Sequence, residues 1–298
     1  MSIQKLKVLV SLTVDDGDYQ TEQARAALDA GRKLGVDVKV IYAGNDSITQ
    51  GQQLLQAIQS PAEERPDAIM FEPVGTGLAS AARAAIAAGL GWVVLNRDTE
   101  NLSDLRSNAK LPVFAVSSDH LEVGRIQGRQ LNQLLPNGGS VLCVQGPASS
   151  AAAQQRTAGM KETLNKGISV LYMFAHWTEA SAHDAVAGWL RLATSRAVPL
   201  QVVAAQDDYM AMGAKRAYSE VNTSEQGNWS ALKFIGCDGL PGHGQTLVRS
   251  GKLAATVILP TNANMALEML VKGAKSGVQP AALTLTKPTS FPPLESLK

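Results

Sequence analysis

Short runs of nearly continuous apolar residues alternate with longer amphipathic stretches along the whole 298-residue chain. Strands are predicted at KVLVSL (7–12), VDVKVIYA (36–43), AIMFEP (68–73), GWVVLNR (91–97) and VFAVSSD (113–119). A second set follows at SVLCVQG (140–146), ISVLYMF (168–174), QVVAAQDD (201–208), KFIGCDG (233–239) and AATVIL (254–259). Strand-like runs separated by helical patterns read as βαβ units, which places the chain in the α/β class. Because most runs are apolar at successive positions rather than alternate ones, both faces of each strand must be covered, as in a parallel sheet flanked by helices. The intervening stretches supply that cover. Ala24, Ala27, Leu28 and Leu34 mark one face of the first helix, and Leu78, Ala81, Ala82, Ala85 and Ile86 one face of the third.

Ten strands are too many for one doubly wound sheet of this length, so two sheets of similar build are expected, each in its own lobe. The closing segment KPTSFPPLESLK is expected to be an extended, proline-rich tail. No internal repeat or low-complexity segment is evident.

Charge narrows the function classes. Lysine plus arginine number 27 and aspartate plus glutamate 26, and no run of five like charges occurs, so there is no basic footprint for nucleic acid or an anionic membrane surface. No window approaches about eighteen consecutive apolar residues, so no membrane insertion is expected. The opening MSIQKLKVLVSL enters a strand-like run directly, without the apolar core of a signal peptide. That start suits a cytoplasmic chain and a mature exported one equally. Cys143 and Cys237 lie inside apolar strand-like runs, where buried thiols are expected rather than a disulfide.

In open parallel sheets ligands bind beyond the carboxyl ends of the strands, so the last residues of each run carry the chemistry. They are polar here. Asp15, Asp16 and Asp18 follow the first strand, Glu72 the third, and Asn96 and Arg97 the fourth. In the second set Gly146 leads to Arg156, Phe174 to Trp177, Gln206 to Asp207 and Asp208, and Cys237 to Asp238. Singly, each is a helix cap or a solvated loop residue; Asp208, directly before the helical YMAMGAKRAY, reads as an N-cap. Together, carboxylates with two arginines at the strand ends describe a surface that hydrogen-bonds a polar ligand.

In order and spacing, VVLNRDT, VSSDHLEVGRIQGRQL, QRTAGMKETL, VVAAQDDYMAMGAKRAY and FIGCDGLPGHGQTLVRSGKLAATVILP resemble the periplasmic sugar-binding proteins typified by ribose-binding protein. The resemblance runs from KVLVSL to NANMALEMLVKG. It implies a type I periplasmic binding fold, the fold shared with the lactose-repressor core: two Rossmann-like lobes joined by a three-stranded hinge, with a monosaccharide or similar polyol enclosed between them. The expected lobes are 1–117 with 259–284 and 118–258 with 285–298, the chain crossing near Ser118, Leu259 and Thr284. A helix-turn-helix precedes the first strand in the repressors, and six residues cannot hold one.

Matched position by position, the resemblance gives Arg97 and Arg156 the role of gripping sugar hydroxyls from the two lobes. A planar guanidinium fork can bond two adjacent oxygens at once. Asp207 and Asp238 match acceptors for hydroxyls, Trp177 an aromatic stacked on the ring's apolar face, and Tyr19 one of a pair of first-lobe aromatics. Trp92 and Trp189 read as core. Departures accompany the matches. Gln20 replaces the partner aromatic, Asn96 the usual Asp, Glu72 a common Asn, and Leu259 a hinge Gln. With Asp16, Glu72, Asp207 and Asp238 against two arginines, an acidic sugar is disfavoured; a neutral polyol, with or without an amine, fits.

The implied function is a solute-binding protein that closes on its sugar and presents it to the permease of an ABC-type transporter. It would be a monomer in the periplasm or another extracytoplasmic space, without catalytic turnover, cofactor or metal. A sugar-sensing module for a receptor is the alternative on the same fold. A dinucleotide-dependent enzyme is less well supported: PVGTGLAS follows the third strand, not the first, and ends in Ser80 where a third glycine belongs. No P-loop lysine, G-x-S-x-G or H-E-x-x-H motif occurs, the four histidines lack ligand spacing, and DDGDY is too compressed for a calcium loop.

Overall fold

In a computed structural model of the chain, the structure describes residues 5–15, 18–75, 77–97, 102–192, 195, 198–221, 229 and 231–297. The chain divides into two compact units, one made of Met1–Ser118 with Pro260–Thr286 and the other of Asp119–Leu259 with Lys287–Lys298.

The first unit opens with β1 (Lys7–Leu12), α1 (Asp18–Leu34), β2 (Asp37–Tyr42), α2 (Ser47–Gln59) and β3 (Ala68–Phe71). It continues through α3 (Ala79–Ala87), β4 (Gly91–Leu95), α4 (Leu102–Ser107) and β5 (Val113–Ser118). The second unit carries α5 (His120–Leu134), β6 (Gly139–Gln145), α6 (Ala151–Thr163), β7 (Ile168–Phe174) and α7 (Glu179–Leu190). After these come β8 (Leu200–Ala205), α8 (Asp208–Ser219), β9 (Lys233–Ile235), α9 (Gly244–Arg249) and β10 (Thr256–Ile258). The chain then returns to the first unit for α10 (Ala263–Ser276) and β11 (Leu283–Thr286), and ends in the second with β12 (Thr289–Phe291).

The first sheet has the order β11-β5-β4-β3-β1-β2 and is parallel throughout. Successive residues of β1 go to opposite faces: Val8 and Val10 pack with Met70, Phe114, Ala27 and Leu267, whereas Leu9 packs with Ile69, Leu54 and Ala81. That two-sided burial is the physical reason the strands read as unbroken apolar runs. The second sheet, β7-β6-β8-β9, repeats the arrangement. Leu142 and Val144 face α7 and α8 residues such as Val186 and Met210, while Val141 and Cys143 face Leu131 and Met160. Burying each such aliphatic side chain contributes about 1.5–3 kcal/mol. Both cysteines are buried and unpaired, as expected.

Several expectations need correction. The end of the chain is not a plain extended tail. Leu283–Thr286 adds a parallel edge strand beside β5, and Thr289–Phe291 pairs antiparallel with β10, registering Thr256 opposite Phe291. Consequently β10 belongs to a two-stranded ribbon rather than the second sheet, with isolated bridges beside it at Ile235–Ala255 and Asp238–Ile258. Leu28 is exposed, because alanines at 24, 27 and 30 form the inward stripe and residue 28 turns off it. The strands also stop short of the polar residues appended to them: β3 ends at Phe71, β4 at Leu95 and β8 at Ala205.

Candidate functional site

In both sheets the second strand in chain order lies on one side of the first, while the third and fourth lie on the other, so the order reverses between β1 and β3 and again between β6 and β8. Ligands of open α/β sheets bind beyond the carboxyl ends at such switch points. Each unit places polar residues there.

In the first unit the chain leaves β3 at Glu72, whose amide donates to Ser11 O at 2.9 Å. The Glu72 side chain is buried. Gln20 Nε2 donates to its Oε2 at 2.9 Å and Asn96 Nδ2 to its Oε1 at 3.1 Å. Gln50, buried on α2, donates to Glu72 O at 2.8 Å and accepts from Val74 N at 2.9 Å, pinning the loop. Asn96 follows β4 with φ +58°, a left-handed conformation that asparagine tolerates better than most residues. Arg97, next in line, is half-buried, and its Nε is buried with no hydrogen-bond partner among the described residues. Tyr19 Oη accepts from Gln23 Nε2 at 3.1 Å and from Asn262 Nδ2 at 3.5 Å. Gln23 Oε1 accepts from the Asn262 and Ala263 amides, each at 3.0 Å, capping α10 from across the unit. Asp15 is exposed. Asp16 and the side chain of Asp18 lie outside the described residues.

In the second unit Arg156, on α6, is 5% exposed. Its backbone can press against α5 because residue 124 is glycine: a Cβ there would meet Arg156 O at 1.9 Å. The guanidinium donates to Gln206 O and to His120 Nδ1, lies 3.8 Å from Asp238 Oδ1, and sits 5.5 Å from the centroid of the Trp177 ring. Trp177 is half-buried with φ +60°, and Asp238 has φ +92°. Gln206, also buried, accepts from Gly146 N at 3.0 Å and donates to Ala153 O at 3.0 Å and Thr157 Oγ1 at 2.9 Å, which locks the end of β8 to that of β6.

The N-cap of α8 is Asp207, whose Oδ1 accepts from Met210 N at 2.5 Å. The sequence pointed to Asp208 instead. That residue is the first of the helix and is buried, its carboxylate accepting from Thr256 Oγ1 at 2.7 Å and Gly239 N at 2.9 Å. Burial, then the negative charge of Asp238, pushes the Asp207 carboxyl up to about 7, against the lowering influence of the Met210 amide and Arg156. The same two causes, in the same order, raise Asp208 well above the usual carboxylate range. Burial raises the Cys237 thiol too, so it is no thiolate nucleophile at neutral pH.

A periplasmic binding protein domain matches residues 8–276. The chain belongs to this family. It is 28% identical over 221 residues to a putative rhizopine-binding protein of Rhizobium meliloti, covering 72% of this chain and 68% of that one. It is 25% identical over 289 residues to the D-allose-binding periplasmic protein of Escherichia coli, covering 94% and 87%. Among solved structures, a galactofuranose binding protein superposes with a TM-score of 0.80 at 22% identity over 98% of both chains. An ABC transporter periplasmic solute binding protein from Actinobacillus succinogenes with bound D-allose does so with 0.82 at 19%, over 96% of this chain and 97% of that one. These two likenesses establish the fold: α/β, parallel sheets flanked by helices, two lobes, as in type I periplasmic binding proteins.

Within that family fold, the structure gathers Tyr19, Glu72, Asn96 and Arg97 at one sheet edge, and Arg156, Trp177, Asp207 and Asp238 at the other. Sequence reasoning missed Gln23, Gln50, Asn262 and Thr286, which tie the first group together. A signal for the two glutamines existed: each interrupts an otherwise apolar helical stripe, Gln23 beside Ala24 and Ala27, Gln50 one turn before Leu54. His120, too, was passed over, although it accepts from Arg156.

Proposed function

We propose that this protein is a solute-binding component of an ABC-type transporter whose ligand is a monosaccharide or a similar polyol. The observation that carries the reading is Arg156, held against the face of Trp177 and beside Asp238, with Asp207 on the same edge. A charged fork of donors, two acceptors and an aromatic face are the groups that recognise a ring bearing hydroxyls on its rim and C–H bonds on its faces. Arg97 and Tyr19 offer donors and an aromatic in the other unit. Arg97 is available to a ligand through its Nε, which has no hydrogen-bond partner among the described residues. The ligand is released unchanged.

The names of the similar proteins support this reading: they include binders of D-allose, ribose and galactofuranose. The same kinship supports a protein that works outside the cytoplasm and hands its solute to a membrane permease. A thermal-shift screen of D-ribose, D-allose, D-galactose and myo-inositol tests it. A ligand present at about 100 times its Kd stabilises the folded state by about 2.7 kcal/mol. No shift with any sugar or polyol, or recovery of a chemically altered sugar after incubation, would refute the reading.

A further inference from the structure

Glu72 is a buried carboxylate that forms no ion pair among the described residues; two neutral amides hold it instead. Burying a charge without a counter-ion is costly, so its retention calls for a role. Both oxygens are already engaged. Oε2 accepts from Gln20 and Oε1 from Asn96, and Gln50 takes the backbone carbonyl. A carboxylate only accepts, so it obliges the amide nitrogens of Gln20 and Asn96 to face it and turns their oxygens away. The consequences run on through the network. Gln20 Oε1 accepts from Thr13 N at 3.4 Å, at the end of β1. Asn96 Oδ1 accepts from Asn262 Nδ2 at 3.4 Å, and Asn262 Oδ1 then accepts from Thr286 Oγ1 at 3.2 Å. One charge thus sets the donor and acceptor sense of four side chains, including that of Asn96, whose left-handed backbone directs the chain into Arg97.

We propose that Glu72 is a positioning residue of the ligand site: it fixes the amides of Gln20 and Asn96, and through Asn96 the placement of Arg97, in place of touching the ligand itself. This rests on the reading that the ligand binds at this sheet edge. It makes Glu72 replaceable wherever its carboxylate can be supplied from next door.

A charge swap tests this. In Glu72→Gln alone, the new amide can accept from only one of its two donors and must present N–H to the other. In the double variant Gln20→Glu with Glu72→Gln, the amide of residue 72 donates to the carboxylate at 20 and still accepts from Asn96, while that carboxylate keeps the Thr13 amide. Melting curves of the unliganded proteins and titrations with D-ribose, D-allose, D-galactose and myo-inositol are recorded for parent, single and double variants. Glu72→Gln is expected to melt lower and to bind the best of these probes at least about tenfold more weakly. The double variant is expected to recover both, with affinity within about threefold of the parent. Recovery of melting without recovery of affinity would overturn the proposal, since Glu72 would then touch the ligand. Failure of melting to recover would overturn it too, because the amide orientations would not depend on that charge. If the parent binds none of the four probes, the sugar-binding reading fails, while the melts alone still decide whether Glu72 orients its neighbours.

Discussion

The indole of Trp177 occupies the space that a side chain on residue 146 would need: a Cβ there would meet ring carbons at 2.1 to 2.4 Å. Gly146 is therefore what lets the ring lie beside Arg156. A substitution of one methyl group tests how much that placement matters. Gly146→Ala should displace the ring and weaken sugar binding by at least about tenfold, with a smaller effect on folding because Trp177 is only half-buried. Calorimetric titration alongside melting reads both quantities. The intrinsic fluorescence change on ligand saturation should also shrink in Trp177→Phe, which leaves Trp92, Trp189 and Trp229 in place.

Arg97 and Arg156 should respond differently to truncation. Arg97→Ala removes a half-buried group whose Nε has no hydrogen-bond partner among the described residues, so binding should fall about tenfold or more with the melting temperature nearly unchanged. Arg156→Ala should cost binding and also stability, because it leaves Gln206 O and His120 Nδ1 without their buried donor. Calorimetry and melting on both variants separate these outcomes.

Asp207 supplies a pH signature. Its folded value of about 7 lies above the ordinary 3.8, so between those limits the folded chain holds a proton that the unfolded chain has lost. The contribution to stability is greatest below about 4 and drains away as pH rises through about 7. Asp207→Asn keeps a good helix cap, since asparagine caps as well as aspartate, but removes the titration. Its melting temperature relative to the parent should therefore climb between pH 5 and pH 8. A flat difference across that range would contradict the assignment.

Asp208 should behave as a structural residue. Asp208→Ala leaves the Gly239 amide and the Thr256 hydroxyl without their buried acceptor, and a loss of about 2 kcal/mol, or roughly 4–8 °C, is expected. Asp208→Asn should be milder, because its oxygen still serves Gly239 and the threonine hydroxyl can reverse and accept. Thermal melts rank the pair.

What the sequence made legible depended on range. Where both faces are buried, strand positions were readable because that burial writes itself as consecutive apolar letters, as in KVLVSL and SVLCVQ; ISVLYMF reads the same way although Leu171, Tyr172 and Phe174 are exposed, and KFIGCDG overran a strand that ends at Ile235. The cap of α8 was misplaced by one residue, since Asp207 and Asp208 look alike in sequence and only the fold decides which turns inward to Thr256. The pairing of Thr289–Phe291 with β10 was hidden behind prolines that argue against a strand, yet an edge ribbon tolerates them just outside its bonded positions. The links from Gln23 to Asn262 and from Asn262 to Asn96 join residues far apart in the chain, and no local pattern encodes such a partner.

The interleaving of the two units bears on how the chain is made. A ribosome delivers residues in order, but the first unit draws α10 and β11 from beyond residue 259, and the second draws β12 from beyond residue 286. Neither can therefore be completed as an early, separate product of synthesis. Until residues 267 and 270 have emerged, Phe114 and its neighbours in the first sheet lack Leu267 and Leu270 to lie against, and β10 has no ribbon partner before residues 289–291 follow. Each unit is therefore closed by segments that leave the ribosome only after most of the other unit has been made.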